Sequence, residues 1–150
     1  MTELYLEDLR FGDRFGSDAF AVTEQDIIAF AREFDPQPFH LDRAAAEQSV
    51  FKTLVASGWH TAAMSMKLFV TGELKLAGGS VGLGVDELRW PRPVKPGDTL
   101  RLETEVLEVR PSKSKPDRGV IRIRNVTTNQ HGQVLQTFVA SVLVRRRPAS

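Results

Sequence analysis

Thr23-Glu24-Gln25-Asp26-Ile27-Ile28-Ala29-Phe30-Ala31-Arg32-Glu33-Phe34-Asp35-Pro36-Gln37-Pro38-Phe39-His40 begins as a helix and ends as a stiffened turn. Thr23 is a good N-cap, Glu24 lies in the first turn, and Asp26 stands at the capping-box position. Ile27, Phe30, Ala31 and Phe34 recur on one helical face, which predicts a buried stripe. Asp35-Pro36 ends the helix, because the residue before a proline is pushed out of the α region. Pro36 and Pro38 then fix two φ angles and remove two backbone donors. The result is a rigid loop with a carboxylate at one end, Asp35, and an imidazole at the other, His40.

Outward from this loop, Asp42 can cap a short helix from Arg43 to Val50. After a linker through Val55, Ser57 and Gly58 lead into a longer helix, roughly His60 to Leu76. Its early face is small or flexible (Ala62, Ala63, Met64, Met66), as suits a helix wrapped closely by a sheet. Upstream, residues 1–22 read as extended, with turns at Gly12-Asp13 and Gly16-Ser17. Past Gly78-Gly79 the period changes. Val81 to Trp90 is a strand ending at Pro91, with its glycines marking bulges. Thr99 to Arg110 alternates, with Leu100, Leu102, Thr104 and Val106 on one side. Ser112 to Gly119 is a lysine-containing loop. Val120 to Thr128 and Gln133 to Arg145 form a hairpin around Asn129–Gly132. One domain over residues 1–150, of class α+β, follows: one dominant helix on an antiparallel sheet. A single long helix leaves apolar sheet uncovered, and self-association would cover it.

Composition excludes several chemistries. The chain has 150 residues, 41% of them hydrophobic and 26% charged, with net charge +1. That balance gives no global attraction to nucleic acid or anionic membrane. There is no cysteine, hence no disulfide, thiolate site or cysteine nucleophile. The acidic N-terminus is no secretory signal, and no apolar run reaches the ~18 residues of a membrane span. A cytoplasmic location is the default expectation. Arg145-Arg146-Arg147 reads as a solvated tail.

The chain has three histidines. His131 falls in the hairpin turn and is expected to be exposed. His40 is different, since a carboxylate and an imidazole held by one stiff loop could share a water, one removing a proton and the other donating one. Histidine's ordinary pKa of about 6.5 suits that task near neutrality. The bland alternative is that Asp35 is an ordinary turn residue and that His40 caps or packs. Ala56-Ser57-Gly58-Trp59-His60 opens the long helix. A helix N-terminus offers unpaired N–H groups, and a glycine admits a ligand carbonyl, the geometry an oxyanion hole needs. The bland alternative is that Ser57 only caps the helix and Gly58 only bends the chain. Asp35, His40, Asp42 and His60 match no metal-ligand spacing, and no phosphate loop or serine-nucleophile elbow is present. No metal or cofactor is expected.

Together these pieces resemble the MaoC-like dehydratases, which include the (R)-specific enoyl-CoA hydratases. The family's Asp-x-Asn-Pro-(Ile/Leu)-His pattern is matched by Asp35-Pro36-Gln37-Pro38-Phe39-His40. Val22 to Ile27 with Phe30-Ala31 is similar to its lead-in, Ala56-Ser57-Gly58 to the segment before its central helix, and Trp90 to Asp98 to its strand–turn–strand piece. The resemblance implies a hot-dog fold, a long central helix wrapped by a curved antiparallel sheet, in at least a homodimer. It implies that Asp35 and His40 activate water for addition to a trans-2-enoyl thioester of CoA or an acyl-carrier protein, with R stereochemistry. It implies that the Gly58 N–H, beside Ser57, polarises the thioester carbonyl. The chain departs from the pattern at Gln37 (usually Asn), Phe39 (a smaller aliphatic), Phe34 (often Gly) and Ser57 (often His). These changes touch the loop's hydrogen bonds and the acyl pocket and leave the acid–base pair in place. Two alternatives are a non-catalytic acyl-CoA-binding protein and a hot-dog thioesterase. Thioesterases of this fold usually carry an acid on the central helix, and Gly58 to Val70 has none. On this reading the basic loop bearing Lys113, Lys115 and Arg118 either meets the phosphate-bearing end of the substrate or is a solvated loop with no partner.

Overall fold

The structure, a computed structural model, describes residues 2–149; Met1 and Ser150 lie outside it. A 3-10 turn at Leu6–Asp8 and two short strands, β1 (Arg14–Phe15) and β2 (Phe20–Ala21), precede helix α1 (Glu24–Phe34). Helices α2 (Pro38–Leu41), α3 (Arg43–Glu47) and α4 (Gly58–Thr71) follow. The chain finishes with strands β3 (Val81–Arg89), β4 (Thr99–Pro111), β5 (Arg118–Thr128) and β6 (Val134–Arg145). The sheet order is β1-β4-β5-β6-β3, with β2 also on β4, and every pairing is antiparallel. Helix α4 lies against this sheet, the hot-dog arrangement that the resemblance implies.

Alternation builds the interface between helix and sheet. Leu100, Leu102, Thr104 and Val106 of β4 are all buried, as their period of two requires. A bulge between Val106 and Glu108 then shifts the register and turns Val109 back toward the core. Ile121 and Ile123 of β5 and Val142 and Val144 of β6 complete the sheet's inner face. Met64, Leu68 and Phe69 of α4 pack on it. The polar residues on this face are paired: Thr104 Oγ1 donates to Asn125 Oδ1 at 2.6 Å, and Ser65 and Thr127 share a hydrogen bond of 2.7 Å. Such pairing removes most of the cost of burying them.

The helix boundaries differ from those read in the sequence, each for a local reason. Helix α4 starts two residues before His60, because Ser57 Oγ accepts from the Trp59 N–H at 3.2 Å. It stops at Thr71 rather than Leu76. The following backbone instead bonds the N-terminal segment, with Glu73 N donating to Gly16 O and Leu4 and Ala77 bonding across the same seam. A side chain at Gly72 would collide with the Gly16 carbonyl, at 2.8 Å from the Cβ position. Helix α3 ends at Glu47, short of Val50. On α1, Thr23 caps as expected, accepting from Asp26 N. Ile27 and Ala31 are fully buried, whereas Phe34 is 66% exposed, its ring meeting only the edge of the same helix at Phe30, 5.2 Å between centroids. The arginine run is not a free tail. Arg146 pairs with Glu7 at 2.8 Å, Arg147 pairs with Asp8 at 2.8 Å, and Arg147 also lies over the Tyr5 ring.

Strand β3 is an edge strand, and Val81, Leu83 and Val85 on it are each at least half exposed. Met66 and Val70 on the outer face of α4 are also exposed. Among the described residues no helix is long and apolar enough to cross a membrane.

Candidate active site

Helix α1 delivers Asp35 as its C-cap, with the Asp35 N–H bonded to Ala31 O at 2.9 Å. What the sequence presents as a plain rigid loop then tightens into the helical turn α2, with Pro38 at its first position. Proline suits that place, since its fixed φ is helical and its missing N–H would have had no partner. One turn brings His40 back toward Asp35. His40 Nε2 lies 3.4 Å from Asp35 Oδ2, and both side chains are more than four-fifths buried.

The second ring nitrogen settles the tautomer. His40 Nδ1 is 2.7 Å from the Val55 carbonyl oxygen. A carbonyl can only accept, so Nδ1 carries the hydrogen and Nε2 is left to face Asp35. Gln37, the departure from the family's Asn, donates Nε2–H to Asp35 Oδ1 at 2.6 Å. Burial pushes the Asp35 carboxyl up, but hydrogen bonds from Ser57 and Gln37 and the nearby His40 outweigh it and hold the group below its ordinary value. A carboxylate and an imidazole that face one gap can hold one proton between them and move it.

The pair opens into a cavity of about 510 Å³ whose lining includes Asp35, His40, Gly58, Thr61 and Trp90. Gly58 is the first residue of α4, so its N–H has no acceptor within the helix and sits at the positive end of the dipole. Ser57 is fully buried behind it, and its Oγ accepts from the Trp59 N–H. The four residues expected at the site are therefore brought together. Trp90 was not anticipated. Its indole occupies the space a Gly58 side chain would need, with three ring carbons within 2.8 Å of that Cβ position. Its Nε1–H donates to the buried Gln136 Oε1 at 2.8 Å. Glycine at 58 therefore makes room for the indole, and the only sequence signal was a tryptophan at a strand end before Pro91.

His131 is exposed in the β5–β6 turn. The loop with Lys113 and Lys115 lies at the far end of the β4–β5 hairpin. The length of β5, eleven residues at ~3.4 Å each, separates it by about 35 Å from the end of the strand nearer the site in the same chain. Arg118 there pairs with Asp117. Among the described residues no group of three or more metal-ligating side chains converges.

Residues 11–129 match the family model of the MaoC like domain. The chain belongs to the MaoC-like dehydratase family. It is 55% identical to a MaoC-like dehydratase from Rhodospirillum rubrum whose crystal structure superposes with a TM-score of 0.93, over 97% of this chain and 99% of that one. The unliganded R-hydratase PhaJ1 from Pseudomonas aeruginosa is 30% identical with a TM-score of 0.78, over 97% of this chain and 88% of that one. An (R)-specific enoyl-CoA hydratase from Rhodospirillum rubrum is 31% identical over 110 residues, 73% of this MaoC-like chain and 74% of that protein.

Proposed function

We propose that this MaoC-like chain is an enoyl-thioester hydratase, acting reversibly as a 3-hydroxyacyl dehydratase, with Asp35 and His40 as its acid–base pair. The observation that carries the reading is the buried Asp35 Oδ2–His40 Nε2 approach of 3.4 Å, its tautomer fixed by Val55, beside the first N–H of α4. The hydratases among its relatives support it. A water in the gap gives up a proton to the pair as its oxygen bonds to C3 of the enoyl group. The C2–C3 π electrons move toward the thioester, and the Gly58 N–H and the helix dipole stabilise the enolate oxygen. The pair then returns a proton to C2, so one molecule of water is added in all. The (R)-specific hydratases among the relatives support an R product.

The exposed apolar residues of β3 and the outer face of α4 support a homodimer formed through that edge. A thioesterase is disfavoured because α4 carries no Asp or Glu. The deciding assay offers crotonyl-CoA and longer trans-2-enoyl-CoAs and follows both the enoyl absorbance and free thiol. Loss of absorbance without thiol is expected. Release of thiol would make the protein a thioesterase, and no change with any chain length would make it a binding protein.

A further inference from the structure

The active-site cavity does not end at the acid–base pair. A second cavity of about 370 Å³ adjoins it, and Phe51, Arg92 and Pro93 line both. Its other lining includes Lys95, Asp98 and His131. Arg92 and Lys95 are exposed, and neither makes an ion pair among the described residues. The carboxylate here, Asp98, is buried and already engaged, accepting from Lys95 N at 2.9 Å and from Gln130 Nε2 at 3.1 Å. It closes the Lys95–Asp98 turn through neutral donors, so one carboxylate charge stands against the two cationic side chains and the annex keeps an excess of positive charge. The annex therefore has positive charge, ring and guanidinium donors, and an apolar threshold at Phe51 leading to the reacting centre. That threshold ring is fixed by Phe39, with centroids 5.2 Å apart.

Building on the hydratase reading, we propose that this annex, through Arg92, Lys95 and His131, binds the phosphate-bearing part of the thioester's phosphopantetheine carrier. The apolar threshold takes the uncharged arm, and the cations take the anionic end. An exposed Lys or Arg attracts a phosphate mainly through screened Coulomb forces, so the contribution is modest per residue and sensitive to salt. Arginine adds a planar fork that matches a phosphate. The basic loop at Lys113 and Lys115 is left without this role in the chain that holds the site.

The test measures equilibrium binding of CoA, 4′-phosphopantetheine and phosphate-free pantetheine by calorimetry, with the native protein and with Arg92→Glu/Lys95→Glu. At low salt the native protein should bind CoA about tenfold or more tighter than pantetheine, the scale of two or three exposed charge pairs. The double variant and 1 M salt should each abolish that preference. Because both side chains are exposed, the variant should melt within a few degrees of the native protein; if it does not, Lys95→Gln and the salt series carry the test. If 4′-phosphopantetheine binds like CoA, one phosphate suffices and a carrier-protein thioester uses the same annex. If only CoA binds tightly, the nucleotide phosphates are the ones held. Equal affinity of the native protein for CoA and pantetheine, or a preference that survives charge reversal, overturns the proposal. Because the readout is binding, a protein that prefers CoA but hydrates no enoyl thioester would sink the hydratase reading alone.

Discussion

Replacing Gly58 by Ala tests the site through packing. The new Cβ would stand 2.7–2.8 Å from three carbons of the Trp90 indole. Carbon atoms in contact prefer about 3.5–4.0 Å, so the ring and the helix start must separate by roughly 1 Å. The indole cannot swing freely. Its Nε1–H is tied to Gln136 at 2.8 Å, and Trp59 packs edge-on against it at 5.3 Å between centroids. Overpacking of this kind costs about 1–3 kcal/mol, and the better helix propensity of alanine returns at most about 1 kcal/mol. A net loss of about 1–2 kcal/mol in urea unfolding is expected. On the chemistry, a shift of about 1 Å in one oxyanion donor should lower kcat on the order of a hundredfold. The same substitution made in a Trp90→Ala background should cost little stability, giving a coupling energy above about 0.5 kcal/mol in a double-mutant cycle. If Gly58→Ala is as stable and as active as the native protein, or if the cycle shows no coupling, Trp90 is not what requires the glycine.

Asp35→Asn and His40→Ala should each lower turnover about a hundredfold or more while the far-UV spectrum stays native; near-normal turnover in either would remove the acid–base assignment. Because the folded Asp35 carboxyl lies below its unfolded value of about 3.9, its contribution to stability is full above that pH and is lost as pH falls through the folded pKa. The stability gap between native protein and Asp35→Asn should therefore shrink on acidification below about pH 5, and a gap that widened there would contradict the sign. Light scattering at micromolar concentration should give a dimer, and Val85→Lys, at a half-exposed position of the β3 edge, should give a folded monomer; a monomeric native protein would leave the apolar edge without its proposed cover.

The order of the main helices and strands, the α+β class and the candidate pair were legible in the residues alone. Those signals are local: a capped helix ended by Asp35-Pro36, two prolines before His40, and strict alternation from Leu100 to Val106. Tertiary structure decided what local signals cannot carry. Helix α4 stops at Thr71 because its next residues bond the N-terminal segment, a contact between positions some seventy residues apart. Arg146 and Arg147 are pinned because Glu7 and Asp8 lie opposite them, across about 139 residues of chain. Phe34 shares the inward face by periodicity, yet at the end of α1 its side chain stays mostly exposed. At the site, the spacing of Asp35 and His40 marked a pair, but its orientation depends on the Val55 carbonyl, and the need for glycine at 58 on the indole of Trp90. A hydrogen-bond acceptor on a distant backbone and a ring from another strand have no periodicity in the sequence, because the chain meets them only when α4 closes against the sheet.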